Sequence, residues 1–381
     1  MSEARVNNLS NESSTGGPTI TGITTFSGTN FFVPPVGNTE QRPENPEKGS
    51  IRFNTDSAHL EYYRGDTIGW SDIEASHGQL GGGTGSNLGT GARGVFFGRA
   101  TPTIVNDIDF VTIPTFGNAQ DFGDMSGVSY TYATASSKIR GFCAGGSTPH
   151  ADVIDFITFS STGNATDTGN LTQARYQLAG GVNDSTRSIF GGGDHYGSPN
   201  AHYNILDYIT SATGGNAVDF GNLTGSKRMA AAMSSSTRGI FAGGNPGPDS
   251  TNIIEYITIS TTGNSEDFGD ISSYNLKEGR GCSNSTRGLL AGGYSPNVNT
   301  IEYITMATFG NGIDFGDMSF ARSHFGSCSS QLRALWASSL NNTATIDSVE
   351  ILTTGNAVDF GDLTNGGHNA DGTSNAHGGL G

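Results

Sequence analysis

The side chains that could carry chemistry in this chain are its histidines and cysteines, so their spacing comes first. The three cysteines, Cys143, Cys282 and Cys328, are too few for a disulfide framework, and each lies in an apolar run. No nucleophile or phosphate-binding motif occurs in a supporting context. The eight histidines show neither an HxxxH pair nor the cysteine–histidine spacing of a metal site: His59, His77, His150, His195, His202, His324, His368 and His377. We therefore expect no catalytic residue, no metal and no cofactor.

A second group of side chains is suited to binding. Residues 194–204, DHYGSPNAHYN, form the longest variable stretch and contain His195, Tyr196, His202 and Tyr203. Aromatic, amide and arginine groups together suit sugar or peptide surfaces. We predict a binding face from these residues, with ordinary solvated loops as the alternative. Neighbouring variable stretches add Tyr130, Arg175, Lys227, Arg228, Tyr274, Lys277, Tyr294, Phe320 and Arg322.

Other charged residues recur at a fixed interval, which indicates a structural role. The repeated arginines are Arg93, Arg140, Arg187, Arg238, Arg287 and Arg333, and the repeated acids are Asp109, Asp155, Asp207, Glu255, Glu302 and Asp347. Because the counts match, we predict one arginine–acid salt bridge within each repeat. Buried pairs of this kind fix register more than they add net stability.

The positions of these residues define six units. The arginines are separated by 47, 47, 51, 49 and 46 residues, and a second marker, the DFGD motif and its variants, recurs at 46, 52, 48, 47 and 45. Within a unit we predict four strands, exemplified by MAAAMSSS from Met229, RGIFAGG from Arg238, IIEYITI from Ile253 and DFGDI from Asp267. The third is apolar on both faces, which is typical of a strand buried between packed sheets. Repetition of four-stranded units predicts an all-β, six-bladed β-propeller.

The repeat resembles the kelch repeat, which has an apolar run ending in two glycines and an aromatic residue in the third strand. The glycine pairs are Gly145–Gly146, Gly192–Gly193, Gly243–Gly244 and Gly292–Gly293, and the aromatics are Tyr208, Tyr256 and Tyr303, with Phe110 and Phe156 as substitutes. The fourth-strand tryptophan of that family is replaced by phenylalanine. The resemblance implies a kelch-like propeller over about 290 residues, residues 93–381, and implies no activity.

The ends of the repeat region predict how the ring closes. The first unit begins at its second strand, Arg93, and the segment after Leu363 matches the first strands elsewhere. We therefore expect this C-terminal segment to complete the sheet that Arg93 begins.

Three segments precede the repeats. Residues 1–41 are predicted to be an extended attachment segment, residues 42–75 a small β-meander, and residues 76–92 a glycine-rich linker. The text IRFNTDSAHLEYYRGDTIGW from Ile51 is similar to a module of bacteriophage tail and fibre proteins that precedes a larger distal domain.

Composition limits the partners. The net charge is −16 without a basic cluster, which argues against nucleic acid, and no run approaches the length of a membrane span. We expect a soluble chain made in the host cytoplasm, with the virion as its location. The expected partners are other virion proteins, contacted through the N-terminal segment, and a host-surface glycan or protein. We expect the protein to be part of a larger assembly, with a homo-oligomer as one alternative.

These observations favour a non-enzymatic phage virion structural protein, a tail fibre, spike or surface appendage whose propeller recognises the host. One alternative is a glycan-active propeller enzyme, a hydrolase or lyase. SEDFGDI from Ser265 is similar to the Asp-box of sialidase-like propellers, whose aspartate caps the turn between the third and fourth strands. A second alternative is a purely structural decoration or assembly protein.

Overall fold

A computed structural model describes residues 34–56, 59–67, 69–72, 92–100, 103–130, 132–147, 152–195, 201–247, 250–272 and 276–380. Within these residues the chain is all-β apart from two short 3₁₀ helices, Thr39–Gln41 and Gly378–Leu380. It divides into two units, residues 1–76 and 77–381. The predicted attachment segment as far as residue 33 and the linker from residue 76 to 91 lie outside the described residues.

The first unit contains one four-stranded sheet with strands in chain order, β1 (Val36–Gly37), β2 (Ile51–Asn54), β3 (His59–Tyr63) and β4 (Trp70–Asp72). Strand β1 is parallel to β2, and the other pairs are antiparallel. The predicted three-stranded meander is therefore present, with one added edge strand. At its centre Glu61 is fully buried; Arg42 Nε donates to Glu61 Oε1 at 3.2 Å, and Asn54 Nδ2 donates to Glu61 Oε2 at 3.2 Å.

The second unit consists of short strands that follow one another along the whole repeat region. In chain order they are β5 (Arg93–Ala100), β6 (Ile104–Thr112), β7 (Gln120–Asp124), β8 (Ala133–Ser136), β9 (Arg140–Ala144), β10 (Val153–Thr158), β11 (Thr166–Asn170), β12 (Arg175–Tyr176), β13 (Gly180–Asn183), β14 (Arg187–Gly191), β15 (Asp194–His195), β16 (Ile205–Thr210), β17 (Val218–Asn222), β18 (Ala231–Ser234), β19 (Arg238–Ala242), β20 (Ile253–Thr258), β21 (Glu266–Asp270), β22 (Arg280–Ser283), β23 (Arg287–Ala291), β24 (Val298–Thr305), β25 (Ile313–Arg322), β26 (Gly326–Ser329), β27 (Arg333–Ala337), β28 (Thr345–Glu350), β29 (Val358–Asp362) and β30 (Asp371–Ser374).

These strands form six four-stranded antiparallel sheets, and β12 pairs separately with β15. Four sheets use consecutive strands, as in β18-β19-β20-β21, which match the four strands predicted for that repeat, and a fifth, β13-β14-β16-β17, omits only β15. The sixth sheet has the order β30-β5-β6-β7, so the C-terminal strand pairs with the strand that Arg93 begins. This is the pairing that the sequence predicts.

The first strands of the six sheets contact one another in a cycle. Each of β8, β13, β18, β22 and β26 contacts the next, and β30 contacts β8 again. Hydrogen bonds from the last residue of each strand follow the same cycle: Ser136 N to Asn183 Oδ1, Asn183 N to Ser234 Oγ, Ser234 N to Ser283 Oγ, Ser283 N to Ser329 Oγ, Ser374 Oγ to Ser329 O and Ser136 Oγ to Ser374 O. The circuit therefore links all six sheets.

A second set of contacts links each fourth strand to the following sheet. The asparagine of each third-to-fourth turn accepts a main-chain hydrogen bond from the preceding fourth strand. The pairs are Asp124 N with Asn164, Asn170 N with Asn216, Asn222 N with Asn264, Asp270 N with Asn311, Asp317 N with Asn356, and Asp362 N with Asn118. The last pair joins the last complete repeat to the first.

Apolar clusters lie between successive sheets. One combines Ala231, Ile240 and Ile254 of one sheet with Leu290 and Ile304 of the next. The third strand is central, and in β20 both Ile254 and Glu255 are fully buried although they point to opposite faces. Burial on both faces was predicted for this strand.

Because the strands alternate in direction, the connections fall into two groups. The first-to-second and third-to-fourth turns lie at one end of the sheets, which we call the turn end. The second-to-third and fourth-to-first connections lie at the other, which we call the loop end.

Candidate functional site

The repeated acids do not pair with the repeated arginines as predicted. Four of them form ion pairs with cations that lie elsewhere in the repeat. Asp207 pairs with Arg175 at 2.8 Å, Asp347 with Arg322 at 2.7 Å and Asp109 with Arg99 at 2.9 Å, and Glu255 pairs with Lys227.

Strand register explains the difference. Arg238 lies opposite Thr258 in the neighbouring strand, whereas Glu255 lies opposite Phe241. An offset of three residues is about 10 Å along a strand and places the two side chains on opposite faces. Tyr256, two residues from Thr258, shares the face of Arg238.

Each repeated arginine therefore packs on an aromatic ring. The guanidinium carbon of Arg238 lies 5.0 Å from the centroid of Tyr256, and its Nη1 donates to Met306 O of the next sheet at 3.0 Å. A cation over an aromatic face is stabilised by the ring quadrupole. The repeated arginines therefore contact aromatic side chains instead of the acids that were predicted as their partners. The other pairs are Arg93 with Phe110, Arg140 with Phe156, Arg187 with Tyr208, Arg287 with Tyr303 and Arg333 with Phe116.

The acids join neighbouring sheets. Each accepts hydrogen bonds from the serine or threonine that stands two residues after the preceding DFGD motif or its variant. Burial would raise the pKa of Glu255, but the Lys227 ammonium and hydrogen bonds from Ser265 and Thr224 hold it below its usual value. The bonded pairs are Ser126 with Asp155, Thr172 with Asp207, Thr224 with Glu255, Ser272 with Glu302, Ser319 with Asp347 and Thr364 with Asp109.

The DFGD motif lies in a strand and does not cap a turn. Asp267 is inside β21, and the third-to-fourth turn of that repeat precedes it. The comparison with the Asp-box predicted a turn, so this detail was wrong. Gly269, in the same strand, has a φ of +151° and lies against the next turn: a Cβ there would be 2.4 Å from Gly310 O.

Three residues predicted for the binding face are buried instead. Arg175 and Arg322 are both 0 % exposed and donate to main-chain carbonyls as well as to Asp207 and Asp347. Lys227 is likewise buried against Glu255. A charged group of this kind needs its partner to offset desolvation, so these cations are structural. Sequence alone did not separate them from exposed arginines in the same connections.

The second-to-third connection after β14 contributes exposed groups at the loop end. His195 is exposed and stacks on Tyr203, with ring centroids 5.2 Å apart. Arg228 Nη1 lies 2.7 Å from Asp194 Oδ2, and His202 Nδ1 contacts Asp194 Oδ1. The structure therefore brings four of the predicted residues together around Asp194, a carboxylate that was not among the predictions.

A second group at the loop end surrounds Tyr294. Tyr294 is 39 % exposed; its ring stands edge-to-face with His324 at 5.3 Å between centroids and has Lys277 Nζ 5.5 Å from its centroid. His324 Nε2 lies 2.7 Å from Glu278 Oε2. Tyr294 was predicted to bind, whereas His324 was considered only as a metal ligand.

The remaining predicted residues are less informative. Tyr196 and Tyr274 lie outside the described residues. Tyr130 is half-buried, and its carbonyl accepts from Ser147 N at 3.1 Å. Phe320 is half-buried, with the Arg322 guanidinium carbon 4.0 Å from its ring centroid.

Residues in left-handed backbone conformation link the fourth-to-first connections. Met229 N donates to Gln177 O, Glu278 N to Met229 O, His324 N to Glu278 O and Asn369 N to His324 O, and all five residues have φ between 50° and 61°. Met229, Glu278 and Asn369 are buried. The sequence gives no motif for this chain of contacts, because the side chains differ in every repeat.

Between the first strands lies a cavity of about 60 Å³ lined by small polar groups, including Thr134, Ser283 and Ser327. Arg280 Nε is 3.7 Å from Asp371 Oδ1 at its wall, and burial raises the pKa of Asp371. At the turn end His377 enters from the C-terminal segment. Its Nδ1 accepts from Gly379 N at 3.1 Å and its Nε2 lies 2.9 Å from Ser136 Oγ.

The cysteines are buried thiols. Burial raises the pKa of Cys282 to about 12 and raises those of Cys143 and Cys328 well above the usual value. A protonated thiol is a weak nucleophile and a poor metal ligand. Among the described residues no three His, Cys, Asp or Glu side chains are grouped so that they could hold a metal ion. The described part also contains no helix long and apolar enough to cross a membrane.

No family model matches this chain, and no curated protein matches it.

Proposed function

We propose that the six sheets form a six-bladed β-propeller of the kelch-like class. The cyclic contacts of the first strands and the pairing of β30 with β5 support this architecture. The bond from Asp362 N to Asn118 Oδ1 supports it as well, because it repeats between the last and first sheets the contact made between the others.

We further propose that this is a non-enzymatic phage virion structural protein, of the tail fibre, spike or surface appendage kind, whose loop end binds the host surface. The observation that carries the proposal is the difference between the two ends. Turns at one end repeat the same asparagine contacts, whereas connections at the other differ and expose His195 and Tyr294. Variable loops on a rigid scaffold are where recognition usually resides.

The direction of the chain is consistent with such a role. Arg93 begins the propeller at the turn end, where it pairs with Thr112 at the start of a third-to-fourth turn. The repeat region therefore begins at the end opposite the loop end. We propose that the N-terminal part attaches the protein to other virion subunits, in a homo-oligomer or with different chains.

The two carboxylates beside the exposed loop-end aromatic rings are already paired, which favours binding over glycan cleavage. A hydrolase or lyase needs carboxylates with access to substrate. At the loop end, however, Asp194 is held by His202 and Arg228, and Glu278 is held by His324. We therefore propose no reaction for this face.

Binding to cells tests the proposal. Labelled full-length protein is incubated with a panel of bacterial strains, alongside a loop-end variant carrying His195→Ala, Tyr203→Ala and Tyr294→Ala. A turn-end variant carrying Phe116→Ala and Phe309→Ala is the matched control, because both phenylalanines are exposed aromatics. We expect strain-specific binding that the loop-end variant loses and the control keeps. Binding to no strain favours a decoration or assembly protein, and loss in the control alone assigns recognition to the turn end.

A further inference from the structure

Tyr294 combines exposure with a fixed orientation. It follows the glycine pair after β23, and its main-chain N–H donates to Lys277 O at 2.8 Å. Most exposed tyrosines lose side-chain entropy when a ligand orders them. A ring that is already held presents its apolar surface at a smaller entropic cost.

Polar contacts behind the ring hold it. His324, edge-to-face with Tyr294, contacts Glu278 Oε2 through Nε2 at 2.7 Å and Ser323 Oγ through Nδ1 at 3.0 Å. Ser323 Oγ in turn donates to Asn297 Oδ1 at 3.0 Å, in the same connection as Tyr294. Two neighbouring sheets therefore fix the ring between them.

Lys277 differs from the other described cations of the loop end. Arg99, Arg175, Lys227, Arg228, Arg280 and Arg322 each form an ion pair with a carboxylate. In the part of the chain that the structure describes, Lys277 forms none, and its ammonium lies over the Tyr294 ring, 5.5 Å from the centroid. A half-buried lysine in contact with an exposed aromatic ring is suited to a ligand with an anionic and an apolar face.

We propose that Tyr294 and Lys277 form a subsite for a carboxylate-bearing sugar, a uronate or sialate residue of a glycan. The C–H face of the sugar packs on the Tyr294 ring, and its carboxylate pairs with the Lys277 ammonium. Sugars without the carboxylate engage the ring alone and bind more weakly. The inference rests on the proposed function, since it names the ligand class of the loop end.

The test uses full-length protein and an array of uronate- and sialate-terminated glycans, each beside its methyl ester, which keeps the ring and removes the charge. We expect wild type to bind at least one carboxylated glycan at least tenfold more tightly than its ester. Lys277→Ala should abolish that preference, Tyr294→Ala should weaken binding to acid and ester alike, and Tyr294→Phe should retain it. Lys138→Ala and Phe309→Ala, which remove an exposed cation and an exposed aromatic at the turn end, should bind as wild type. Equal melting temperatures establish that the variants are folded.

Cell binding measured in parallel separates the two proposals. If cells are bound but no carboxylated glycan is preferred over its ester, the sugar subsite is overturned and the recognition role stands. If a carboxylated glycan is preferred and Lys277→Ala leaves the preference unchanged, the assignment to Lys277 is wrong. If neither cells nor glycans are bound, both proposals fail.

Discussion

The main-chain N–H of Asp362 donates to Oδ1 of Asn118 at 3.1 Å, across 244 residues of sequence. The same bond joins Asn222 to Asn264 at 3.0 Å, where the partners are only 42 residues apart. Neighbouring sheets are therefore joined in the same way whether they are adjacent in the chain or lie at its two ends.

The C-terminal strand should be required for stability. Deletion of residues 364–381 removes β30 and its main-chain hydrogen bonds to β5. It also removes Gly372, which packs against the Phe96 ring. At about 1 kcal/mol for each of several lost bonds, we expect a loss of roughly 4 kcal/mol or more in the free energy of unfolding. Urea denaturation measures it, with deletion of Gly381 alone as the control. A melting curve unchanged by the longer deletion would contradict the proposed closure of the ring.

Glu255 should be coupled energetically to Lys227 and not to Arg238. Lys227 and Glu255 form a buried ion pair, whereas Arg238 lies on the other face of the strand pair and packs on Tyr256. Removing one partner of a buried pair costs about 3–5 kcal/mol. A double-mutant cycle with Lys227→Met and Glu255→Gln should give a coupling energy above about 1 kcal/mol, and the cycle with Arg238→Met should give a value near zero. Coupling of the opposite order would restore the pairing predicted from the sequence.

Two glycines with nearly the same backbone conformation separate strain from steric contact. Gly361 and Gly355 have φ of +149° and +155°, but a Cβ on Gly361 would lie 2.5 Å from Gly117 O, and one on Gly355 would meet no atom within 4 Å. Both alanine variants carry the conformational cost of about 1–2 kcal/mol. Gly361→Ala should lose about 1–3 kcal/mol more, because the first and last sheets must move apart. Chemical denaturation of both variants measures the difference, and equal losses would show that the close approach is unimportant.

The stability of the second unit should fall between about pH 6.5 and pH 4 because of His377. Burial lowers the pKa of His377 to about 4, so the unfolded chain binds a proton in this range that the folded chain does not. The contribution is complete above pH 6.5 and is lost as the pH falls towards 4, by about 3 kcal/mol in total. Protonation at Nδ1 would also place a donor against the Gly379 N–H, which acts in the same direction as burial.

The comparison of wild type with His377→Gln isolates this effect from the other titrating groups. The difference in unfolding free energy between the two proteins should change across the same pH range and be constant above it. A constant difference from pH 4 to pH 8 would show that His377 is accessible to protons in the folded state.

Much of the fold could be predicted because the same sequence pattern occurs six times. The spacing of the arginines and of the DFGD motif located each second and fourth strand, and the unpaired strand at Arg93 located the partner of the C-terminal strand. Pairing between strands was harder. The equal numbers of repeated arginines and acids suggested a salt bridge between Arg238 and Glu255. The register of the paired strands places them three positions apart and excludes it.

The candidate site was predicted only in part, since residues of one type in equivalent connections have opposite environments. Arg175 and Arg322 are buried against acids, whereas Arg228 is partly exposed. Gly367 occupies the position of Arg175 in another repeat, and there Arg99 supplies the cation from a different strand: a Cβ on Gly367 would lie 2.7 Å from Arg99 Cδ. The cation that pairs with the acid is therefore the one whose side chain fits the space beside it, whichever strand that cation comes from.

The sequence by itself determined the number of sheets, their strands and the closure at β30, because these depend on local periodicity and on the repetition of a pattern. Only the tertiary structure decided which cation meets which acid and which aromatic rings stay exposed at the loop end. Those contacts join residues of neighbouring sheets, and whether a side chain such as Lys277 finds a carboxylate depends on what those sheets place beside it.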